Sequence, residues 1–295
     1  RREPVCPWKS KQLYTAIKSE LGRLKEPNEV EYRVNEMRNS ALNYRKFLYP
    51  DEETNLNIRK QLIILEKLEA TIAYPILINL FASRDKGQFG NDVLLECLLH
   101  INSFIVRRAV CDEKRSALNK LFVSIASKIP TNSGDTGNWI ANELIRRVRS
   151  ERWPDDGEFK EAILKKLLYK TKAARILLEG IEEYLAGKEV IDLSSDKITI
   201  EHIMPQMMTP QWRDELGEDS DEVHRIYRDT LGNLTLTGFN PELSNLPFEK
   251  KKKKYCESGI AMNRELAKFE GWSQTAILER AETLANYAIK IWPRP

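Results

Sequence analysis

A histidine and three asparagines toward the end of the chain are the residues best suited to chemistry. His202 lies at the end of the alternating stretch Ile198–Ile203, which a proline soon closes. Asn233 opens a second short apolar stretch, and Asn240 and Asn245 follow before a lysine-rich segment. An imidazole can take a proton from water, and amide oxygens suit a hard divalent cation. The series therefore predicts a one-metal site for phosphodiester hydrolysis on a strand, loop, strand, helix frame.

The residue types predict a division of roles within this site. His202 is the predicted general base, because a neutral imidazole near physiological pH accepts a proton. The side-chain amide of Asn233 can bridge loop backbone groups and so hold His202 in orientation. Asn240 and Asn245 compete for one position as metal ligand; the spacing from Asn233 favours Asn240, and both stay open. Glu201 is either a further metal ligand or a salt-bridge partner that supports the site.

Each of these side chains also has an ordinary structural explanation. A histidine at a strand end can be a buried, hydrogen-bonded residue, Gly-Asn is a common turn pair, and an asparagine at a helix start can be a cap. The ordered series of His202, Asn233 and the later asparagines favours the functional interpretation.

Five consecutive lysines, Lys250–Lys254, follow the last asparagine of the series. Such a run is usually a solvated helix face. Beside a nuclease site it would bind the DNA backbone, with an affinity that falls as salt rises and carries no sequence information. The residues predicted to do so are Lys250, Lys251, Lys253 and Lys254.

The ordered motifs resemble the HNH nuclease superfamily, also called ββα-metal or His-Me finger nucleases. More closely, they are similar to the C-terminal domain of GmrSD-type modification-dependent (type IV) restriction enzymes and their SspE-like phage-defence relatives. Close similarity covers roughly the last third of the chain. The matching segments are Ile200–Gln206, Leu231–Leu236, Asn240–Asn245, Pro247-Phe248, Lys250 and Ala288–Pro293.

This resemblance implies more than the residues alone. It implies a DNA endonuclease or nickase that acts on double-stranded DNA with Mg2+, for which Mn2+ can substitute. Relatives carry an N-terminal nucleotide-hydrolysing domain that senses DNA modification; the sequence has no phosphate-cradling Gly-rich loop, so we expect that partner domain to lie outside this chain. The implied role is defence against phage or foreign DNA. The alternative is a catalytically inactive module that binds DNA or a partner.

Composition limits the class of protein. The chain has 295 residues, of which 41% are hydrophobic and 31% charged, with a net charge of +3, as expected for a soluble globular protein. No apolar run reaches the length of a membrane span, so no membrane partner is expected. The four cysteines form no C-x-x-C pair, which argues against structural zinc. The start has neither an initiator Met nor a signal-peptide pattern, so we expect a fragment of a longer cytoplasmic protein.

Helical periodicity dominates up to about residue 190. Apolar residues recur on one face in the segments Ser10–Lys25 and Arg115–Lys128. Two longer apolar segments, near Ile58–Phe81 and Val93–Val106, are predicted central helices, and Pro75 should kink or divide the first. Residues 1–189 are therefore predicted to form a helical bundle.

The pattern changes near Val190. The stretch Val190–Ile203 alternates and is β-branched, which predicts a strand. Residues 206–230 are predicted to form a long loop with one helical turn at Asp221–Tyr227. Thr275–Trp292 is amphipathic, with Ser273 as N-cap. The predicted fold is mainly α, with the helical domain 1–189 followed by a small α+β, ββα-metal nuclease domain at 190–295.

Overall fold

Helices make up most of the structure, a computed structural model, as the sequence predicts. It describes residues 10–118, 120–130, 134–186, 191–193 and 195–295. The chain forms two compact units: the first comprises Arg1–Leu98 and Leu118–Ile140, and the second comprises Leu99–Ala117 and Ala141–Pro295. The predicted domain boundary between residues 189 and 190 lies outside the described residues and stays a prediction. Among the described residues, no helix has both the length and the apolarity needed to cross a membrane.

The first unit is built of helices, and its apolar periodicity predicts most of them. Pro75 falls in the first turn of α4, where a missing N–H costs nothing, so the predicted long segment is divided into α3 and α4. The segment Arg115–Lys128, predicted from its helical periodicity, contains a 3-10 turn at Arg115–Leu118 and the short helix α6. The helices are α1 (Ser10–Leu21), α2 (Pro27–Leu48), α3 (Leu56–Lys67), α4 (Tyr74–Asp85), α5 (Asn91–Val110), α6 (Leu121–Ala126) and α7 (Thr136–Ile145).

The second unit carries all the predicted site residues. Ser273 caps its longest helix by accepting a hydrogen bond from the N–H of Ala276, which confirms the predicted start. The predicted loop 206–230 contains two helices, of which only the second was expected. The helices are α8 (Asp156–Lys165), α9 (Lys172–Ala186), α10 (Pro210–Leu216), α11 (Ser220–Tyr227), α12 (Asn240–Leu243), α13 (Phe248–Cys256), α14 (Ala261–Leu266) and α15 (Gln274–Ile291).

Two short antiparallel strands, β1 (Thr199–His202) and β2 (Leu234–Thr237), form a sheet in this unit. The register pairs Ile200 with Leu236 and His202 with Leu234. Among the described residues of the predicted strand Val190–Ile203, only the last few are paired, because β2 is four residues long and is the partner of β1. Side chains alternate between faces, so Ile200 and His202 share a face of β1.

An apolar cluster holds the site segments together. It joins Ile203 and Met204 after β1 to Trp212, Phe248 and Trp272, all buried. Helix α15 packs against α8, α9 and the 3-10 turn Leu231–Asn233 that leads into β2. The loop after His202 is thereby anchored in a rigid interior.

The turn Leu231–Asn233 approaches α15 so closely that one position needs glycine. A Cβ on Gly232 would lie 2.5 Å from the carbonyl oxygen of Ile277 in α15. From the same helix, buried Arg280 donates to three carbonyl oxygens of this segment, at 3.2 Å to Leu231, 2.7 Å to Gly232 and 2.8 Å to Leu234. Helix α15 therefore fixes the position of Asn233.

Candidate active site

His202 is paired with a carboxylate that the motifs did not reveal. Its Nε2 lies 2.9 Å from Oδ1 of Asp229, which follows α11. The other carboxylate oxygen, Oδ2, accepts from Arg228 at 2.6 Å and 3.1 Å. An ionised carboxylate only accepts hydrogen bonds, so the contact places a proton on Nε2 and the lone pair of a neutral ring on Nδ1.

The surroundings keep this pair as neutral imidazole and carboxylate. Burial lowers the pKa of His202, and the hydrogen bond and charge of Asp229 oppose that effect only in part. Burial raises the pKa of Asp229, but hydrogen bonds from Arg228 and His202 outweigh it, so the net pKa is lowered. A histidine with a lowered pKa is unprotonated at neutral pH, which is the state that a general base requires.

Two side chains cover the His202 ring on its other sides. The amide Nε2 of Gln206 lies 3.3 Å from Nδ1, and the ring of Tyr169 meets the imidazole edge-on at 4.2 Å between centroids. His202 is 4% exposed, and Gln206 is exposed. The imidazole therefore lies in a polar niche, with its lone-pair nitrogen under a side chain that is in contact with solvent.

Asn233 connects the three segments around this niche. Its Oδ1 accepts from the backbone N–H of Met204 at 2.8 Å and from the indole N–H of Trp272 at 2.9 Å. Its Nδ2 donates to the carbonyl oxygens of Met204 at 2.8 Å and Arg228 at 2.9 Å. These four bonds use the full capacity of the amide, so Asn233 touches the backbone on both sides of the His202–Asp229 pair.

Glu201 points away from His202, into the interior. Its Oε1 lies 2.5 Å from the ammonium of Lys251, which also donates to the backbone oxygen of His202 at 2.8 Å. Both side chains are buried. Burial raises the pKa of Glu201 and lowers that of Lys251, and their mutual attraction opposes both shifts in part. Of the two predicted roles for Glu201, the geometry matches the salt-bridge partner rather than the metal ligand.

The two candidate ligand asparagines differ in their surroundings. Asn240, at the first position of α12, donates from Nδ2 to the hydroxyl of Thr199 at 2.9 Å and to the carbonyl oxygen of Ile200 at 3.0 Å. Among the described residues its Oδ1 has no hydrogen-bond partner, and Asn240 lines an open cavity. Asn245 is exposed beyond the end of that helix. The structure brings Asn240 alone of the two onto β1, two residues before His202.

The lysine run does not form one charged face. Lys251 is fully buried against Glu201, so the prediction that it binds DNA is wrong: its ammonium cannot reach the surface. Lys254 pairs with Glu242 at 2.8 Å and lies over the ring of Phe239. For exposed Lys250 and Lys253, and for Lys254, DNA binding stays a prediction.

Three residues of this arrangement were missed by sequence reasoning: Asp229, Gln206 and Tyr169. Gln206 lies within the matched segment that ends the first motif, so its position four residues after His202 was a usable signal. Asp229 and Tyr169 are distant in sequence, and a backbone contact joins them, since the N–H groups of Leu168 and Tyr169 donate to the carbonyl oxygen of Asp229 at 2.8 Å and 3.2 Å. No local pattern announces such a contact.

The donor atoms suit a hard cation only in part. No group of three or more His, Cys, Asp or Glu side chains with the geometry of a metal site occurs within the described part of the chain. Among the predicted ligands, Asn240 offers an unengaged amide oxygen at the cavity wall, whereas the carboxylate of Glu201 is bound to Lys251. The fit to Mg2+ therefore rests on Asn240, with Asn245 as the exposed alternative.

Comparison with known proteins identifies the region that holds these residues. Residues 153–287 match the family model described as GmrSD restriction endonucleases, C-terminal domain. Comparison with curated proteins gives no match. The matched region includes His202, Asp229, Asn233 and Asn240, together with Tyr169 from the segment before α9. Residues 153–287 of this chain are thus similar to the C-terminal domain of GmrSD restriction endonucleases.

Proposed function

We propose that this GmrSD C-terminal domain is a metal-dependent endonuclease that hydrolyses phosphodiester bonds of double-stranded DNA. The observation that carries the proposal is the pair of His202 and Asp229, 2.9 Å apart in a polar niche of a restriction-endonuclease domain. Within it, β1, β2 and the following helices would be the ββα frame of an HNH nuclease. A restriction-type function is the family's own; the His-dependent chemistry is our proposal.

The ring orientation defines the proton transfer. Asp229 holds the Nε2–H, so Nδ1 carries the lone pair. A water molecule that takes the place of the Gln206 amide would give its proton to Nδ1 as its oxygen attacks phosphorus. The bond from phosphorus to the leaving sugar oxygen then breaks, and that oxygen takes a proton from solvent. Asp229 stabilises the imidazolium that forms, and Asn233 keeps the loop after His202 in place.

A divalent cation would be held by Asn240, through its unengaged Oδ1, with Asn245 as the alternative ligand. When bound, Mg2+ or Mn2+ polarises the phosphate and offsets charge on the leaving oxygen. Glu201 has no part in this proposal, because its carboxylate is bound to Lys251, and the same ammonium binds the carbonyl oxygen of His202 in β1.

A supercoiled-plasmid assay tests the proposal. The full chain is incubated with supercoiled plasmid and with Mg2+, Mn2+ or EDTA, and the nicked and linear products are quantified. His202→Ala should lower the rate by about 10²- to 10⁴-fold, as expected for loss of a general base. His224→Gln is the matched control, because His224 contacts the carbonyl oxygen of Pro205 and not the His202 niche. Cation-dependent cutting that survives His202→Ala would refute the assignment.

Gln206 and Tyr169 cover the imidazole of His202, which favours a second candidate function: a module that binds DNA or a partner without cutting DNA. Gln206 and Tyr169 leave His202 only 4% exposed, so the site is closed in this structure. Salt-sensitive DNA binding by the full chain, with no cutting under Mg2+ or Mn2+, would establish this candidate. Cutting that is lost in His202→Ala would eliminate it.

The biological setting is part of the same proposal. Restriction of modified DNA requires a sensor, and we propose that an N-terminal nucleotide-hydrolysing domain controls this nuclease. Without such control, the domain should cut modified and unmodified plasmid at similar rates. A clear preference of this chain for modified DNA would place the sensor within its own 295 residues.

A further inference from the structure

We propose that the DNA backbone is bound in the open cavity next to β1, by Lys170 and Lys197, and not along the lysine helix α13. The inference rests on the proposed nuclease function and names the surface that holds its substrate. The cavity has a volume of about 1190 Å3 and lies within the second unit. Its walls come from the segment before α9, the segment before β1, and α12.

The cavity adjoins the candidate active site on two sides. Tyr169 lines it and meets the His202 ring edge-on at 4.2 Å. Asn240 lines it and binds the carbonyl oxygen of Ile200, which shares a face of β1 with His202. A strand in this cavity would therefore lie against Asn240, the proposed cation ligand, and against Tyr169, the side chain that contacts the His202 ring.

The charge of the cavity wall suits a polyanion. Lys170 and Lys197 are exposed on it, and neither has an ion-pair partner among the described residues. Arg175 adds a positive charge but is engaged with Glu179 at 2.5 Å, and Asp196 contributes one negative charge. Two ammonium groups without an ion-pair partner among the described residues, at an open cavity, match the repeated phosphates of a nucleic-acid strand.

Both lysines stand on segments that are fixed to the rest of the unit. Lys170 follows Tyr169, whose N–H donates to the carbonyl oxygen of Asp229. The segment that carries Lys197 is held to α9 by Arg175, which donates to the carbonyl oxygens of Leu193 at 2.5 Å and Ile198 at 2.7 Å. The backbone that carries each lysine is therefore held in place at the cavity wall.

Helix α13 offers less free charge than its sequence suggests. Lys251 is buried against Glu201, and Lys254 is paired with Glu242. Lys250 and Lys253 remain exposed on it. The two pairs, Lys170 with Lys197 and Lys250 with Lys253, thus allow a comparison in which the same charge is removed from two places.

The experiment measures binding of a short fluorescent DNA duplex to the full chain in EDTA, across a series of salt concentrations. Each lysine–phosphate contact contributes about 0.9 to the slope of log affinity against log salt. The double variant Lys170→Gln/Lys197→Gln should bind more weakly, with a slope about 2 smaller. The double variant Lys250→Gln/Lys253→Gln, with the same net charge, should bind nearly as the parent does. Circular dichroism checks that both fold.

A loss of affinity in the α13 variant that equals or exceeds the loss in the cavity variant would overturn the inference, and so would a parent chain that does not bind DNA. Failure of the nuclease proposal is detected by a different measurement, the plasmid-cutting assay. A parent chain that binds DNA through Lys170 and Lys197 but never cuts plasmid would retain the cavity as the DNA site and refute the nuclease chemistry.

Discussion

Lys251 and Glu201 meet in the interior at 2.5 Å, and the same ammonium binds the backbone of His202. Both side chains are buried, so each charge is stabilised mainly by the opposite charge of its partner. Removal of one partner leaves the other charge in a medium of low polarity, which costs several kcal/mol. A lysine from an apparently solvated run is thus part of the support for the candidate base.

Lys251→Met should lower the free energy of unfolding by about 3–5 kcal/mol, because Glu201 is left buried without its partner. The double variant Lys251→Met/Glu201→Leu should recover most of that loss, since it removes both charges. Urea unfolding measures each. Lys253→Met, on the exposed side of α13, is the control and should change stability by no more than about 0.5 kcal/mol. A Lys251→Met protein as stable as the parent would contradict the buried pair.

Asp229→Asn should lower the rate of plasmid cutting by about 10- to 100-fold, because the amide no longer fixes the proton on Nε2 of His202. It should also move the acid limb of the pH–rate profile to lower pH. The hydrogen bond and charge of Asp229 raise the pKa of His202 against the effect of burial, so their loss lowers that pKa further.

The control for this profile is Asp221→Asn, since Asp221 is exposed and pairs with Arg213 on the surface. Its profile should match that of the parent. An acid limb that stays at the pH of the parent in Asp229→Asn would show that the carboxylate does not act on the His202 ring.

Gln206→Ala should increase the cutting rate, because the Gln206 amide occupies the side of Nδ1 from which a water would give its proton. The increase should be at most about tenfold, since one hydrogen bond contributes about 1 kcal/mol net. Initial rates of nicking measure it, with Gln274→Ala as a control at another exposed glutamine of the unit. A loss as large as that of His202→Ala would instead make Gln206 part of the catalytic machinery.

Gly232→Ala should destabilise the protein by about 1–3 kcal/mol, because its Cβ would lie 2.5 Å from the carbonyl oxygen of Ile277. The next residue is Asn233, so cutting should fall as well. Gly271→Ala is the matched control, with its nearest neighbour, Oε1 of Glu215, at 3.8 Å. Thermal unfolding compares the two, and equal melting temperatures would argue against the close approach of α15.

Local signals in the sequence predicted much of the fold. Ser273 marked the start of α15, and Pro75 marked the division between α3 and α4, because caps and proline act within one turn. Helix α10 was missed although Thr209 caps it, since its short amphipathic pattern stands among polar residues. The start of β1 was placed too early because alternation shows which residues can form a strand, while pairing depends on the length of its partner.

The candidate site could be predicted only where its residues share a motif. Asn233 and Asn240 were proposed as site residues from motif spacing. Asp229 was not, because its contact with His202 depends on how α11 folds back to β1. The inward direction of Lys251 had a signal that was not used. Phe248, Lys251 and Tyr255 are spaced to share one helix face, and two apolar members of that face mark it as the buried one.

The four hydrogen bonds of Asn233 can form together only after the C-terminal part of the chain has been synthesised. One of them comes from Trp272, which lies well beyond the histidine motif in the chain. During synthesis, His202 leaves the ribosome before Trp272 and α15 exist, so the imidazole has no settled environment at that stage. A chain that is cut short before Trp272 would carry the whole histidine–asparagine series and still lack the indole N–H that binds Asn233.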